Sequence, residues 1–214
     1  MSDSQSPSQH RGFVAGLVLA GGRSLRFGSE KAAALLDGRP LLLWAAGRLT
    51  KTCAAVAVSA RPGTQAEALA QADGLPVLYD AQGDADGPLS GIKAGLIWAQ
   101  GLGARALAVS PCDAPLLPGD LFERLIRGAE QTGAAMAWTI DGRQPLCALW
   151  PVTALNLVAE ALTSGSHPAV WKVLEEAGAN RVLFETREAF ANVNTREDLA
   201  AAHVALQKMR QTDP

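Results

Sequence analysis

The stretch "LVLAGGRSLRFGSEK", residues 17–31, ends an apolar run at Gly21 and Gly22 and then sets Arg23, Arg26 and Lys31 around Gly28. A glycine pair admits backbone angles that other residues resist, so amides can converge on an anion. Arg26 and Lys31 can reach over the same space, and together they could neutralise a polyphosphate. The spacing is not that of a Walker A loop, because Ser29 and Glu30 separate Gly28 from Lys31, and it is not G-x-G-x-x-G. A second apolar run ends in "SPCDAPLLP", which delivers Asp113. One carboxylate plus phosphate oxygens suits Mg²⁺, which keeps several waters and shares its shell with substrate.

Further polar groups follow other apolar runs. Asp80, in "LYDAQGDADGPLSG", could accept paired N–H donors from the edge of a base; Asp84 and Asp86 are nearby alternatives. Gly87 and Pro88 open a helix whose N-terminus favours an anion or a polar base edge. Asn192 and Asn194 in "FANVNTREDL" are two apart, so in extended backbone they share one face. Two amides there could bind a polar ligand or a metal-bound water, and Asn194 or Thr195 also has a helix to cap.

Elements must exist to position these residues. Apolar runs at 13–20, 54–60, 76–80 and 105–111 read as strands, continuous rather than alternating, as in a parallel sheet covered on both faces. Between and after them, 39–50, 64–72, 87–101 and 118–131 read as helices. Pro40 falls in the first turn of one, and Ile92, Leu96 and Ala99 share a face of another. Segments 134–140 and 145–150 flank Asp141 and Gly142 as a hairpin, adding an antiparallel element. Helices at 152–163 and 168–178, a strand at 181–185 and a helix over 194–210 complete the chain. Thr195 and Asp198 are spaced to cap that last helix. The expectation is one α/β domain over 13–210, a three-layer α/β/α sandwich with a mostly parallel, Rossmann-like sheet. Its ligands should lie beyond the carboxyl ends of the strands.

Bulk properties narrow the function. The 214 residues carry a net charge of −2, so any anion site is local and nucleic acid is not an expected partner. Cys53, Cys112 and Cys147 lie far apart in apolar runs, as free thiols in a reducing compartment do. His10, His167 and His203 are scattered, and no G-x-S-x-G elbow occurs. Residues 1–12 are polar and read as a disordered leader rather than a signal peptide. No run is long enough to span a membrane. A soluble, cytoplasmic protein is expected.

The motif Leu19-Ala20-Gly21-Gly22-x-Ser24-x-Arg26-x-Gly28-x-x-Lys31 resembles that of nucleotidyltransferases with a glycosyltransferase-A-like fold. Combined with Cys112-Asp113-x-Pro115, Gly87-Pro88-Leu89-x-Gly91 and Phe190-x-Asn192-x-Asn194-Thr195, it most resembles the molybdenum cofactor guanylyltransferases. That resemblance covers roughly residues 13–205. It implies GMP transfer from GTP to the terminal phosphate of molybdopterin, releasing pyrophosphate. It further implies phosphate contacts for Arg26 and Lys31, a Mg²⁺ ligand in Asp113, and nucleotide contacts for Leu19, Ala20, Gly21, Gly22, Asp80, Gly87, Pro88 and Leu89. Ser59 stands where the family often places an asparagine near the base. Asn192 and Asn194 are implied at the pterin. Gln144 departs from the family's usual histidine. Implied partners are GTP, molybdopterin or the molybdenum cofactor, and cofactor-handling proteins or apo-molybdoenzymes. Rival readings are a cytidylyltransferase acting on the same pterin, a sugar-phosphate nucleotidylyltransferase, and a nucleotide-binding regulatory or adaptor protein without turnover.

Overall fold

The structure, a computed structural model, describes residues 13–22, 30–163, 168–186 and 188–212. The expected leader, Arg26 and His167 lie outside the described residues.

Strand β1 (Val14–Leu19) alternates its side chains between two cores, Val14 and Val18 on one face and Ala15 and Leu17 on the other. A 3-10 turn (Lys31–Ala33) precedes a small hairpin, β2 (Leu35–Leu36) and β3 (Arg39–Pro40), which leads into α1 (Leu41–Leu49). Then come β4 (Ala55–Ser59), α2 (Gln65–Ala72), β5 (Val77–Leu78), α3 (Pro88–Gly101), β6 (Ala106–Pro111) and α4 (Leu121–Gly128). The later part holds β7 (Ala135–Thr139), β8 (Gly142–Pro151), α5 (Leu155–Thr163), α6 (Val170–Glu176), β9 (Asn180–Leu183) and α7 (Arg196–Thr212).

The large sheet runs β5-β4-β1-β6-β8-β7-β9. Strands β5, β4, β1 and β6 pair in parallel, and β9 is parallel to β7. Strand β8 is antiparallel to both its neighbours, so the hairpin supplies the expected antiparallel element. One face is covered by α1, α2 and α4, the other by α3, α5 and α6, giving three layers. Among the described residues, no helix is long and apolar enough to cross a membrane.

Helix α3 lies unusually close to the sheet. A Cβ built on Gly91 would sit 2.6 Å from Ser59 Oγ, and one on Gly95 would sit 2.6 Å from Leu17 Cδ2. Ile92, Leu96 and Ala99 are fully buried, as their spacing predicts.

Helix α4 (Leu121–Gly128) and strand β5 (Val77–Leu78) are shorter than the expected 118–131 and 76–80, and three further boundaries differ for reasons visible in the contacts. Helix α1 starts at Leu41, not 39, because Arg39 and Pro40 pair with Leu36 and Leu35 across a turn. Asp37 (φ 51°) and Gly38 (φ 76°) form that turn, and this Asp-Gly pair suits a tight two-residue hairpin. Pro40 is therefore the N-cap of α1 rather than part of its first turn. Segment 152–154 is a 3-10 turn ahead of α5. Helix α7 begins two residues later than expected, after a reciprocal cap. Asp198 N donates to Thr195 Oγ1 at 3.1 Å, and Thr195 N donates to Asp198 Oδ2 at 2.9 Å.

Candidate active site

A cleft of about 420 Å³ opens at the carboxyl ends of β1, β4 and β6. Strand β1 delivers Leu19 to its wall, with Ala20, Gly21 and Gly22 following; β4 delivers Ser59, and β6 leads to Cys112 and Asp113. The segment after β5 brings Asp80 and Asp86, and the start of α3 brings Gly87, Pro88 and Gly91. Ten of the residues singled out in the sequence thus converge on one space: Leu19 through Gly22, Lys31, Ser59, Asp80, Gly87, Pro88 and Asp113.

Lys31 is the focus of the cleft. Its Nζ donates to Asp113 Oδ2 at 3.0 Å and to Asn194 Oδ1 at 2.7 Å. The Lys31 and Asp113 side chains are 19% and 21% exposed, so water screens this pair only in part. The Asp113 backbone is fixed from the side, where Val193 N donates to Asp113 O at 2.7 Å. Two residues further along, Arg48 Nη2 donates to Pro115 O at 2.9 Å. Burial pushes the Arg48 guanidinium below its ordinary value.

The opposite wall has its own braces. Ser90 Oγ lies 3.0 Å from Asp80 Oδ2 and 2.6 Å from Gly87 O, so its single proton serves one of them at a time. Lys93 Nζ donates to both oxygens of Asp84, at 2.8 and 3.0 Å, tying the 80–87 loop to α3. Gly87 has φ 149° and ψ 177°, a conformation open in practice to glycine alone. Glu30, next to Lys31, accepts the backbone N–H groups of Gln65 and Ala66 at 2.6 and 2.9 Å, closing the N-terminus of α2.

Several placements refine the sequence reading. Gly21 and Gly22 do not have positive φ, and among the described residues a Cβ on either would meet nothing within 4 Å. What they leave in this conformation is open space rather than an unusual angle. Leu89 does not line the cleft; it is buried beneath α3, beside a smaller cavity shared with α5 and α6. Asn192 and Asn194 are exposed and flank the buried Val193, as residues on one face of extended backbone should be. Cys112 lines the cleft, and burial, followed by the Asp113 carboxylate, pushes its thiol up to about 12. Gln144 Nε2 donates to Thr139 Oγ1 at 3.4 Å across β7 and β8.

Sequence reasoning missed Glu30, Arg61 and Leu146 as cleft-lining residues. Leu146 reaches the cleft because β8 departs from regular pairing with β7 between Met136 and Ala137. A one-dimensional pattern carries no signal for that bulge.

Among the described residues, no three His, Cys, Asp or Glu side chains converge as a metal site. The Asp113 carboxylate and the Asn194 amide oxygen do converge, both at Lys31 Nζ. A hard divalent cation fits such a donor set only if phosphate and water complete its shell, which is how magnesium is commonly held.

Residues 16–183 match the family model described as a MobA-like NTP transferase domain. A molybdenum cofactor guanylyltransferase of Cereibacter sphaeroides is 43% identical over 195 residues, covering 90% of this chain and 97% of that one. One from Rhodobacter capsulatus is 39% identical over 203 residues, covering 94% and 99%. In fold, the chain is similar to the crystal structure of molybdopterin-guanine dinucleotide biosynthesis protein A from Archaeoglobus fulgidus. That match has a TM-score of 0.70 at 24% identity and covers 91% of this chain and 99% of the other.

Proposed function

The chain belongs to the MobA-like NTP transferase domain family, and from that premise we propose that it transfers GMP from GTP to the terminal phosphate of molybdopterin. An oxygen of the acceptor phosphate attacks the α-phosphorus of GTP. The bond from that phosphorus to the β-phosphate oxygen breaks, and pyrophosphate leaves. The acceptor phosphate is already ionised near neutral pH, so no strong general base is required. The obstacle is charge, because attacker and target are both anions. Catalysis then rests on alignment and electrostatic stabilisation.

In this reading the Lys31 ammonium turns from Asp113 and Asn194 to the phosphates and offsets charge on the transferring and leaving groups. Arg26, five residues before Lys31 in the sequence, is the second cation. Asp113 is the protein ligand for Mg²⁺, which when bound supplies charge neutralisation across the triphosphate. Leu19, Ala20, Gly21 and Gly22 form the wall beside the nucleotide. Asp80 accepts the N1–H and N2–H donors of guanine, with Ser59 and the start of α3 at Gly87 and Pro88 beside it. Leu89 supports that helix from beneath rather than touching the base. Asn192 and Asn194 face the pterin-bearing acceptor.

The observation that supports this reading best is the meeting of an ammonium, a carboxylate and an amide oxygen at one point of the cleft. The test is transfer by Lys31→Ala and Asp113→Ala, scored as guanine dinucleotide formed and pyrophosphate released. Each variant should lose about 10²–10³ in kcat while staying folded, the scale seen when one electrostatic stabiliser is removed. Wild-type turnover in both would end the mechanism. Faster turnover of CTP than of GTP would overturn the assignment of the base, and nucleotide binding without any turnover would favour an adaptor.

A further inference from the structure

Past Leu146, away from the nucleotide wall, a cluster of arginines and tryptophans sits at the same end of the sheet. Trp138 in β7 pairs with Arg143 in β8. The Arg143 guanidinium carbon lies 5.2 Å from the Trp138 ring centroid and 4.1 Å from that of Trp171 in α6. Arg181 in β9 lies over Trp138 at 4.3 Å, and Lys172 Nζ is 5.7 Å from the Trp171 ring. Glu175 stands between the arginines, 3.8 Å from Arg143 Nε and 4.0 Å from Arg181 Nη2. Both distances exceed hydrogen-bonding reach. Two guanidiniums thus face one carboxylate, with Lys172 on the Trp171 ring nearby, and the N–H donors of the guanidiniums are not consumed by Glu175.

The position matters as much as the composition. Strand β7 points the same way as β6, so Trp138, near its carboxyl end, lies at the end of the sheet that carries Asp113. Trp138, Trp171, Leu146 and Leu19 all pack on the core beneath α3, so they share one face. Leu146 lines the cleft, and Arg143 is three residues away along β8, at most about 10 Å at full strand spacing and less across the irregular stretch. In the order of strands, Ser59 and Asp80 follow β4 and β5 on one side of the Lys31–Asp113 pair, and Arg143 lies on the other. An arginine clamped between two indoles has its plane fixed, so its fork is pre-organised for a planar partner.

Resting on the guanylyl-transfer reading, we propose that Arg143, held by Trp138 and Trp171 with Arg181 beside it, forms an acceptor subsite. It takes the oxygen- and nitrogen-bearing edge of a flat heterocycle whose phosphate end lies at Lys31 and Asp113. Arg143 acts in binding and selection, not in the chemical step.

The experiment compares wild type with Arg143→Ala, Arg143→Lys and Trp171→Ala, each checked for folding by circular dichroism. Molybdopterin binding is titrated by tryptophan fluorescence in the absence of nucleotide, and GTP binding is followed separately by thermal shift. Arg143→Ala should weaken molybdopterin binding about tenfold or more, the scale of charge-assisted hydrogen bonds, and raise the acceptor KM with kcat nearly unchanged. Arg143→Lys should recover only part of the loss, because it restores charge but not the fork. The GTP-induced shift should not move. Wild-type acceptor affinity in folded Arg143→Ala and Trp171→Ala, with wild type active, would overturn the subsite alone. A wild-type chain that neither binds molybdopterin nor transfers GMP to it would remove the underlying reading and the subsite with it.

Discussion

A single methyl group placed on Gly91 tests how the fold and the cleft depend on each other. Its Cβ would lie 2.6 Å from Ser59 Oγ, 3.0 Å from Leu19 Cδ2 and 3.2 Å from Ser59 Cβ. Ordinary contact needs about 3.5–4 Å, so α3 must move outward or both cleft residues must shift. Alanine gains about 1 kcal/mol over glycine in a helix interior. Overpacking a close site costs about 1–3 kcal/mol. The net loss is then up to about 2 kcal/mol, and each kcal/mol lowers Tm by about 2–4 °C at this chain length. Gly95→Ala, one turn on, should lose as much or more, because its neighbours Leu17 and Leu107 are fully buried. It does not border the cleft, however. Gly101→Ala meets nothing within 4 Å and should not destabilise the chain. The assay is thermal melting with and without GTP. At 100 times Kd the ligand adds about 2.7 kcal/mol, and a tenfold weaker site halves that gain. Gly91→Ala should lose part of the GTP-induced rise, whereas Gly95→Ala should keep it. A Gly91→Ala protein with wild-type Tm and an undiminished GTP shift would refute the close-approach argument.

Other expectations follow from local contacts. Glu30→Ala leaves the Gln65 and Ala66 N–H groups without their carboxylate and should cost about 1 kcal/mol, read from urea midpoints. Thr195→Ala should cost a similar amount by removing the α7 cap and should raise the acceptor KM through Asn194. Asp198 is held below its ordinary value, first by the Asn194 N–H and next by the Thr195 hydroxyl, so its folded pKa lies under the unfolded one. Its contribution is complete above the unfolded pKa near 3.8 and is lost as pH falls through the folded value. An Asp198→Asn chain should therefore show a shallower acid-side decline in Tm. With the Cys112 and Cys53 thiols pushed up to about 12, alkylation of native protein at pH 8 should be slow, and Cys112→Ala should keep its activity.

Local signals made much of this legible in advance. The apolar runs marked the parallel strands, and Thr195 and Asp198 marked the start of α7. The rule that ligands gather at strand carboxyl ends predicts that Ser59, Asp80 and Asp113 meet, as they do at the cleft. Long-range geometry was not legible. The irregular register between β7 and β8 turns Leu146 into the cleft, and no periodicity encodes it. Glu30 seemed a spacer between glycine and lysine, yet it closes a helix 35 residues away. Leu89 shares the glycine–proline motif with true cleft residues, but helical rotation carries it into the core. At Asp37 and Gly38 a turn signal was present and lost to the stronger apolar helix pattern after it.

The hydrogen bond from Lys31 to Asn194 joins positions 163 apart in the chain. A ribosome delivers the strand bearing Val14, the glycine pair and Asp113 long before it delivers Asn194. While Asn194 is still inside the exit tunnel, the nascent polypeptide can pair β1, β4, β5 and β6 but cannot make this contact to Lys31. Closure of that contact thus waits until the segment ahead of α7 has emerged, and a product terminated before Asn194 would hold the parallel strands without the bond that ties Lys31 to the far part of the chain.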